Sequence, residues 1–364
     1  MASTMRAARL HKAGAPFRID EIPIPEPGPD DALIAVKACG VIPNMRNIVS
    51  GKFFHVLPTM PAIIGLDAAG TVAKLGRGVT GLKEGDRVYV NPALSCGTCW
   101  YCRNGRTLYC EAGALQGYFG FRPASKPLLD RYPYGGFAEY MTAPARNLVR
   151  LTDAVSFEVG ARFGYLGTAY AGLQAGELKA GGTLALIGAT GTLGINATVF
   201  ALGMGAGKIV PIARNPERLA RMKALAPDRI FPVVIDGTPI APRVVAAADG
   251  LGADIVMDCL TRGVAADMTA DSIQGLRNGG IAVNIGALSE PLAINPIWFM
   301  IGGRQYRGSN WFTTAQGEEM VALATAGVAD FSVFENRIYP LEKVNDALAD
   351  AGKDGGFINT VVRP

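Results

Sequence analysis

Short apolar or alternating runs, broken by Gly and Pro, dominate the first ~150 positions and read as strands. DALIAVKACGV (31–41), GTVAKLG (70–76) and GDRVYVNP (85–92) are the clearest. Together they predict a β-rich, barrel-like domain. From about residue 180 the pattern changes. TLALIGA (183–189) is a short apolar run, and GINATVFALGM (194–204) follows with helical character. Strand KIVPIAR, helix PERLARMKAL, strand RIFPVV, a further helix, strand ADIVMDC, another helix and strand GIAVNIGA (280–287) come next. Strands separated by helical segments predict a doubly wound parallel sheet with crossover helices. From about 311 the tail carries two helical stretches and a last strand, GFINTVV, which returns to the first domain. The expected division is 1–152, 153–310 and 311–364.

Composition narrows the class without changing this picture. The 364 residues are 49% hydrophobic and 18% charged, enough for two domains with a large core. A net charge of +4, spread evenly with no basic run, gives no footprint for nucleic acid or a membrane surface. No stretch approaches the roughly 20 apolar residues of a membrane span. MASTMRAARLHKAG, at the N-terminus, has no apolar signal core. Six cysteines, four of them clustered, suit a metal site in a reducing compartment better than a disulfide framework, so the cytoplasm is expected.

The cluster is CGTCWYCRNGRTLYC (96–110), in which Cys96, Cys99, Cys102 and Cys110 are spaced to surround one tetrahedral ion. Four thiolates saturate Zn²⁺ and leave no position for water or substrate. Such a metal holds a loop in shape and does no Lewis-acid chemistry. No basic helix flanks the loop, which argues against a nucleic-acid finger.

GATGTLG (188–194) lies between a buried-type strand and a helix start. Gly188, Gly191 and Gly194 allow a tight turn and a close approach to a pyrophosphate. Thr190, Thr192 and Leu193 lie in the same turn, whose free N–H groups face the anion. The competing reading is a purely structural turn. An NAD site places an acid about 20 residues after the glycines. Here the next strand ends in Ala213-Arg214-Asn215, with Arg218 one turn on. A guanidinium binds a 2′-phosphate through paired donors, where a carboxylate would repel it. The expected cofactor is NADPH; the bland alternative is two surface arginines at a helix start.

Together these features resemble the medium-chain dehydrogenase/reductase superfamily, the zinc alcohol dehydrogenases and their quinone oxidoreductase relatives. The residues that carry the resemblance are PAIIGLDAAGTVAKLGRGVTGLKEGDRV (61–88), the four-cysteine loop, YGGFAEY (134–140), the glycine turn and YPLEKVNDALADA (339–351). The resemblance implies a GroES-like β-barrel catalytic domain, a Rossmann NADP-binding domain and a structural zinc on the four cysteines. It also implies a homo-oligomer, dimer or tetramer, joined near 285–303, and Gly286 and Thr168 close to the cofactor.

Alcohol dehydrogenases of this family carry a second, catalytic zinc. Its three ligand positions correspond here to Ile42, Leu66 and Gly164. Its supporting aspartate and relay histidine positions hold Met45 and Asn47. The only histidines are His11 and His55. GVIPNMRNIVSG (40–51) and GLDAAG (65–70) instead resemble the quinone oxidoreductase branch, from which Ile42 and Met45 depart.

Without such a metal, forming an alkoxide near neutral pH is difficult. Hydride addition to the β-carbon of an enone, or to a quinone, spreads the charge onto oxygen, where a few donors suffice. The expected activity is therefore NADPH-dependent reduction of an activated double bond. The alternatives are a carbonyl or imine reductase, a zinc-independent alcohol dehydrogenase, or a non-catalytic NADPH-binding protein. Asn44 and Tyr165 are the candidate catalytic donors, with Asn47 and Arg46 behind them. Asn44 as a turn cap and Tyr165 as core packing are the bland alternatives. Asp67 is expected to be a buried structural acid paired with an arginine, and Thr168 and Tyr170 to line the cleft. Tyr118, Phe119 and Phe121 with Trp298 and Phe299 form a candidate aromatic wall, or ordinary packing. Cys39 and Cys259 read as buried strand cysteines without a role. Arg214→Ala is expected to raise KM for NADPH and leave that for NADH nearly unchanged; equal effects on both cofactors contradict the assignment.

Overall fold

The computed structural model describes residues 3–51, 56–261, 263–264 and 266–364. His55 lies outside them. The first domain is built on β1 (Asp31–Gly40), β2 (Asp67–Leu75), β3 (Arg87–Val90), β4 (Tyr140–Pro144) and β5 (Leu148–Arg150). β1 is apolar at nearly every position because both of its faces are covered. It pairs antiparallel with β2, with Gly40 opposite Asp67. A short helix, α1 (Met45–Val49), follows β1 and buries Met45, Ile48 and Val49.

α2 (Phe163–Ala175) links the two halves and is buried on nearly all sides. It is apolar around its whole circumference, as expected of a helix with no solvent face. The parallel sheet follows: β6 (Thr183–Ile187), helix α3 (Thr192–Gly203), β7 (Lys208–Ala213), helix α4 (Pro216–Lys223), β8 (Val233–Val234), β9 (Ala253–Asp258), β10 (Leu276–Asn284), helix α5 (Pro296–Gly302) and β11 (Gln305–Gly308). The strand order is β8-β7-β6-β9-β10-β11, all parallel. The order reverses between β6 and β9, which opens a ligand crevice beyond their carboxyl ends. RIFPVV contributes less strand than its apolar run suggests. Pro232 offers no N–H, so the ladder is reduced to Val233–Val234 and an isolated bridge from Ile230 to Ile209.

The tail adds strands to the first sheet. After helix α6 (Thr314–Thr325), β12 (Glu335–Pro340) pairs with β13 (Ile358–Arg363), and β13 adds to β1 through Val361–Gly40 and Val362–Cys39. The first sheet therefore runs β5-β3-β2-β1-β13-β12, with β4 also on β1. β12 (ENRIYP) carries no apolar alternation because it is an edge strand with no fully buried residue. Among the described residues no helix is long and apolar enough to cross a membrane.

Phe312 joins the two halves. Its ring is fully buried, with centroids 6.2 Å from Tyr89 and 5.5 Å from Trp311. A Cβ at Gly167 of α2 would stand 2.3 Å from that ring. Gly167→Ala must therefore push apart a junction with no slack. It is expected to lower unfolding stability by about 1–3 kcal/mol in urea titration; an unchanged midpoint contradicts this packing.

Candidate active site and metal loop

The four cysteines converge. Their sulfurs lie within 4.8 Å of one another, and Cys96–Cys102 and Cys99–Cys110 are separated by 4.0 and 3.9 Å. Zn–S bonds of about 2.3 Å give a tetrahedron with edges of about 3.8 Å, so the spacing suits zinc. The Cys96 N–H points at the Cys110 sulfur at 3.2 Å, and the Cys99 N–H at the Cys96 sulfur at 3.3 Å. Burial pushes the Cys96 thiol up, but the Thr98 and Cys99 backbone N–H groups outweigh it and bring it down to about 6.

At the crevice, the chain leaves β6 through Gly188, whose φ of +75° needs a glycine, and enters α3 at Thr192 after Gly191. A Cβ on Gly194 would stand 2.3 Å from the Ala189 carbonyl oxygen. Gly286, just past β10, packs against Leu260, and Leu260 packs against Gly188, so the carboxyl ends of three strands meet here. Asn215 caps α4 by accepting the Arg218 N–H at 2.9 Å. Arg214 is exposed, and among the described residues no carboxylate pairs with it. Arg218 donates to the Lys353 carbonyl at 3.0 Å.

The segment between α6 and β13 then closes on this turn. The Gly356 N–H donates to the Thr190 carbonyl at 3.0 Å, and a Cβ on Gly356 would collide with the Gly191 carbonyl. Arg162, at the N-terminus of α2, holds the segment from beneath. It donates to the Gly356 carbonyl, to Ile358 O at 3.3 Å and to Asn196 Oδ1 at 2.9 Å, and its guanidinium lies 4.1 Å over Phe334. Burial with no carboxylate partner pulls its pKa down to about 9. Neither this arginine nor the 352–360 loop stood out in the sequence; a single Arg before an apolar segment carries no pattern that marks it.

Gly40, Val41, Ile42, Pro43, Asp67, Arg162, Tyr165, Thr192 and residues of the returning segment enclose a cavity of about 20 Å³. Tyr165 therefore reaches this space. Asn44 does not line it; its side chain accepts from Asn47 Nδ2 at 3.2 Å. Thr168 donates to the Gly164 carbonyl at 2.7 Å. Tyr170, expected in the cleft, is turned away: its hydroxyl donates to Glu319 at 2.8 Å because α6 packs on that face of α2. The aromatic wall divides. Tyr118 and Phe119 are buried in the core of the first domain, whereas Phe121 faces a separate hollow beside the metal loop. Trp298 and Phe299 pack on the parallel sheet beside Arg304.

Asp67 is fully buried, but its partner is not an arginine. The Tyr89 hydroxyl donates to Oδ1 at 2.8 Å, and Oδ2 has no hydrogen-bond partner. A Cβ on Gly164 would stand 2.3 Å from the same carboxyl, which only a bare position permits. Burial raises the acid to about 7, tempered by the Tyr89 hydroxyl and the nearby Gly164 backbone. Ile42 and Leu66 are buried and apolar beside it. Among the described residues, the four-cysteine loop is the one group of three or more His, Cys, Asp or Glu side chains arranged to hold a metal.

Comparison with known proteins agrees with this architecture. Residues 28–153 match the alcohol dehydrogenase GroES-like domain, and residues 192–326 match the zinc-binding dehydrogenase domain. The uncharacterized zinc-type alcohol dehydrogenase-like protein YphC of Escherichia coli (strain K12) is 31% identical over 264 residues, 70% of each chain. An alcohol dehydrogenase of Geobacillus stearothermophilus is 29% identical over 344 residues, 94% of each. A protein assigned as a zinc-binding dehydrogenase from Sinorhizobium meliloti 1021, solved bound to NADP, superposes with a TM-score of 0.83 at 25% identity over 100% of both chains.

The buried acid gives a test in pH. Its folded value lies above its unfolded one, so the folded state keeps the proton that the unfolded chain gives up near pH 4. Stability contributed by the protonated acid is complete below about 4 and is lost as pH rises to about 7. Asp67→Asn has no such loss. Relative to the wild type, the variant is expected to gain up to about 4 kcal/mol between pH 4 and 8 in denaturant titrations. A difference that stays constant with pH contradicts a raised Asp67.

Proposed function

Because the chain belongs to the zinc-type alcohol dehydrogenase-like family of medium-chain dehydrogenases/reductases, an oxidoreductase family, we propose that it is an NADPH-dependent reductase of activated double bonds that works without a catalytic zinc. The observation that carries this reading is the set of side chains at the three ligand positions. Ile42 and Leu66 are apolar and Gly164 has no side chain, so none offers an atom to a metal. The proposed metal is a structural zinc, one per chain, on Cys96, Cys99, Cys102 and Cys110, closed to substrate.

The crevice fits a dinucleotide. Gly188, Thr190, Gly191, Thr192, Leu193 and Gly194 would cradle the pyrophosphate at the α3 N-terminus. Arg214, Asn215 and Arg218 would receive the 2′-phosphate, where an acid would select NAD. Thr168 and Gly286 would border the nicotinamide side. The NADP in the Sinorhizobium meliloti structure supports this choice. When bound, NADPH supplies the hydride. The chain then has to orient the acceptor, shield it from bulk water and stabilise charge on its oxygen. Tyr165, which borders the cavity, is the proposed donor for that charge, and Asn44, which does not border it, is the weaker candidate.

The reading includes a homo-oligomer. α5 presents Ile297, Met300 and Ile301 to the outside, with Met300 73% and Ile301 77% exposed, beside the edge strand β11. A contiguous apolar face next to an open sheet edge suits a second copy of the chain.

The reaction is tested by incubating the protein with NADPH and 2-cyclohexen-1-one and identifying the product by mass and NMR. The expected product is the saturated ketone. The allylic alcohol would mean that the carbonyl carbon took the hydride, and would replace this reading with that of a carbonyl reductase.

A further inference from the structure

The least satisfied charged-type group in the cleft is Asp67. It comes from the first residue of β2, opposite Gly40, and points toward the N-terminus of α2 at Gly164. Oδ1 is taken by Tyr89, and Oδ2 has no partner. The groups facing it from the surrounding elements are Cys39 from β1, Tyr89 from β3, Tyr118 after the metal loop, and Tyr165 at the start of α2. None is a cation. Arg162 lines the same cavity but is committed to Asn196 and to the carbonyls of Gly356 and Ile358. A carboxylate at this point would be buried with one oxygen unpaired and no counter-ion, which is costly. The neutral acid instead leaves one O–H free to donate.

The cavity that Asp67 borders with Ile42 and Tyr165 is about 20 Å³, room for one water. We infer that Asp67 is held as the neutral acid and is the proton source of the reduction, passing its proton through a water in this cavity to the acceptor. The inference rests on the double-bond reductase reading above. It also meets that reaction's balance. The hydride adds to the β-carbon, and the C=C pair moves onto the α-carbon and carbonyl oxygen. The Asp67 proton, relayed by the water, neutralises the enolate. NADPH becomes NADP⁺, the alkene is reduced, and the carboxylate left behind regains a proton from solvent after product release. Tyr89, ahead of the nearby Gly164 backbone, tempers the acid's strength, because its hydroxyl hydrogen bond favours the carboxylate. A metal dehydrogenase stabilises the oxygen's charge with the ion; here a buried acid removes the charge.

The test uses wild type, Asp67→Asn and Tyr89→Phe, with NADPH and 2-cyclohexen-1-one as probe. In wild type, kcat should fall as pH rises through about 7. Asp67→Asn should lower kcat at pH 6 by roughly 100-fold, with little change in KM, and should abolish that limb. Tyr89→Phe should move the limb to higher pH. A readout without cofactor or substrate stands beside these. Infrared spectroscopy of the free protein should show a protonated-carboxyl C=O band at pH 6 that is absent at pH 9 and absent in Asp67→Asn. A wild type that forms no saturated ketone contradicts the reductase reading and the proton role that depends on it, whatever the infrared band. A wild type that forms it, with Asp67→Asn keeping the same rate and pH limb, overturns the proton-source inference alone. No acid band in wild type at pH 6 overturns it too, even if Asp67→Asn fails to fold, and so does a Tyr89→Phe limb that does not move.

Discussion

A Cβ on Gly40 would stand 2.0 Å from the Ala161 carbonyl oxygen, and one on Gly164 would stand 2.3 Å from an Asp67 carboxyl oxygen. These two bare positions let the end of β1, the start of β2 and the N-terminus of α2 meet with their backbones almost touching. The rest of the cleft depends on that contact. It buries Asp67 against Tyr89, brings Tyr165 and Ile42 to one small cavity, and fixes the helix that carries Arg162 and Phe163 between the two halves. The bare position at Gly164 is what makes room for the buried acid.

The returning segment completes the enclosure. β13 joins the first sheet at Gly40, directly beside the cleft, so the loop before it must cross the glycine turn of the parallel sheet. Arg162 secures that crossing with two backbone carbonyls, the Asn196 side chain and the Phe334 ring. A cation without a carboxylate is expensive to bury. Here its cost is offset by hydrogen bonds and by an aromatic face, and in return one side chain ties both domains and the C-terminal strand together.

The sequence made the larger architecture legible because it was written in local signals. Strand–turn–helix at 183–203, the alternation that follows and the cysteine spacing at 96–110 each imply their geometry directly. The resemblance marks the cleft by expected departures at Ile42, Leu66 and Gly164, of which Ile42 borders the cavity and Gly164 lies against Asp67. What was hidden depends on tertiary contact. Nothing near Asp67 in the chain indicates that Tyr89 would be its partner or that no arginine would come. Tyr170 points away from the cleft because α6 covers that side of α2. β12 has no apolar alternation to find, being an exposed edge, and RIFPVV had more apolar character than its proline allows it to use.

The proposed reduction requires one structural metal and no other. Metal analysis of the purified protein, by mass spectrometry alongside activity, tests it most directly. One zinc per chain, with NADPH-dependent reduction that added zinc leaves unchanged, is the expected result. Two zincs per chain, with activity lost when the second is removed, would contradict it.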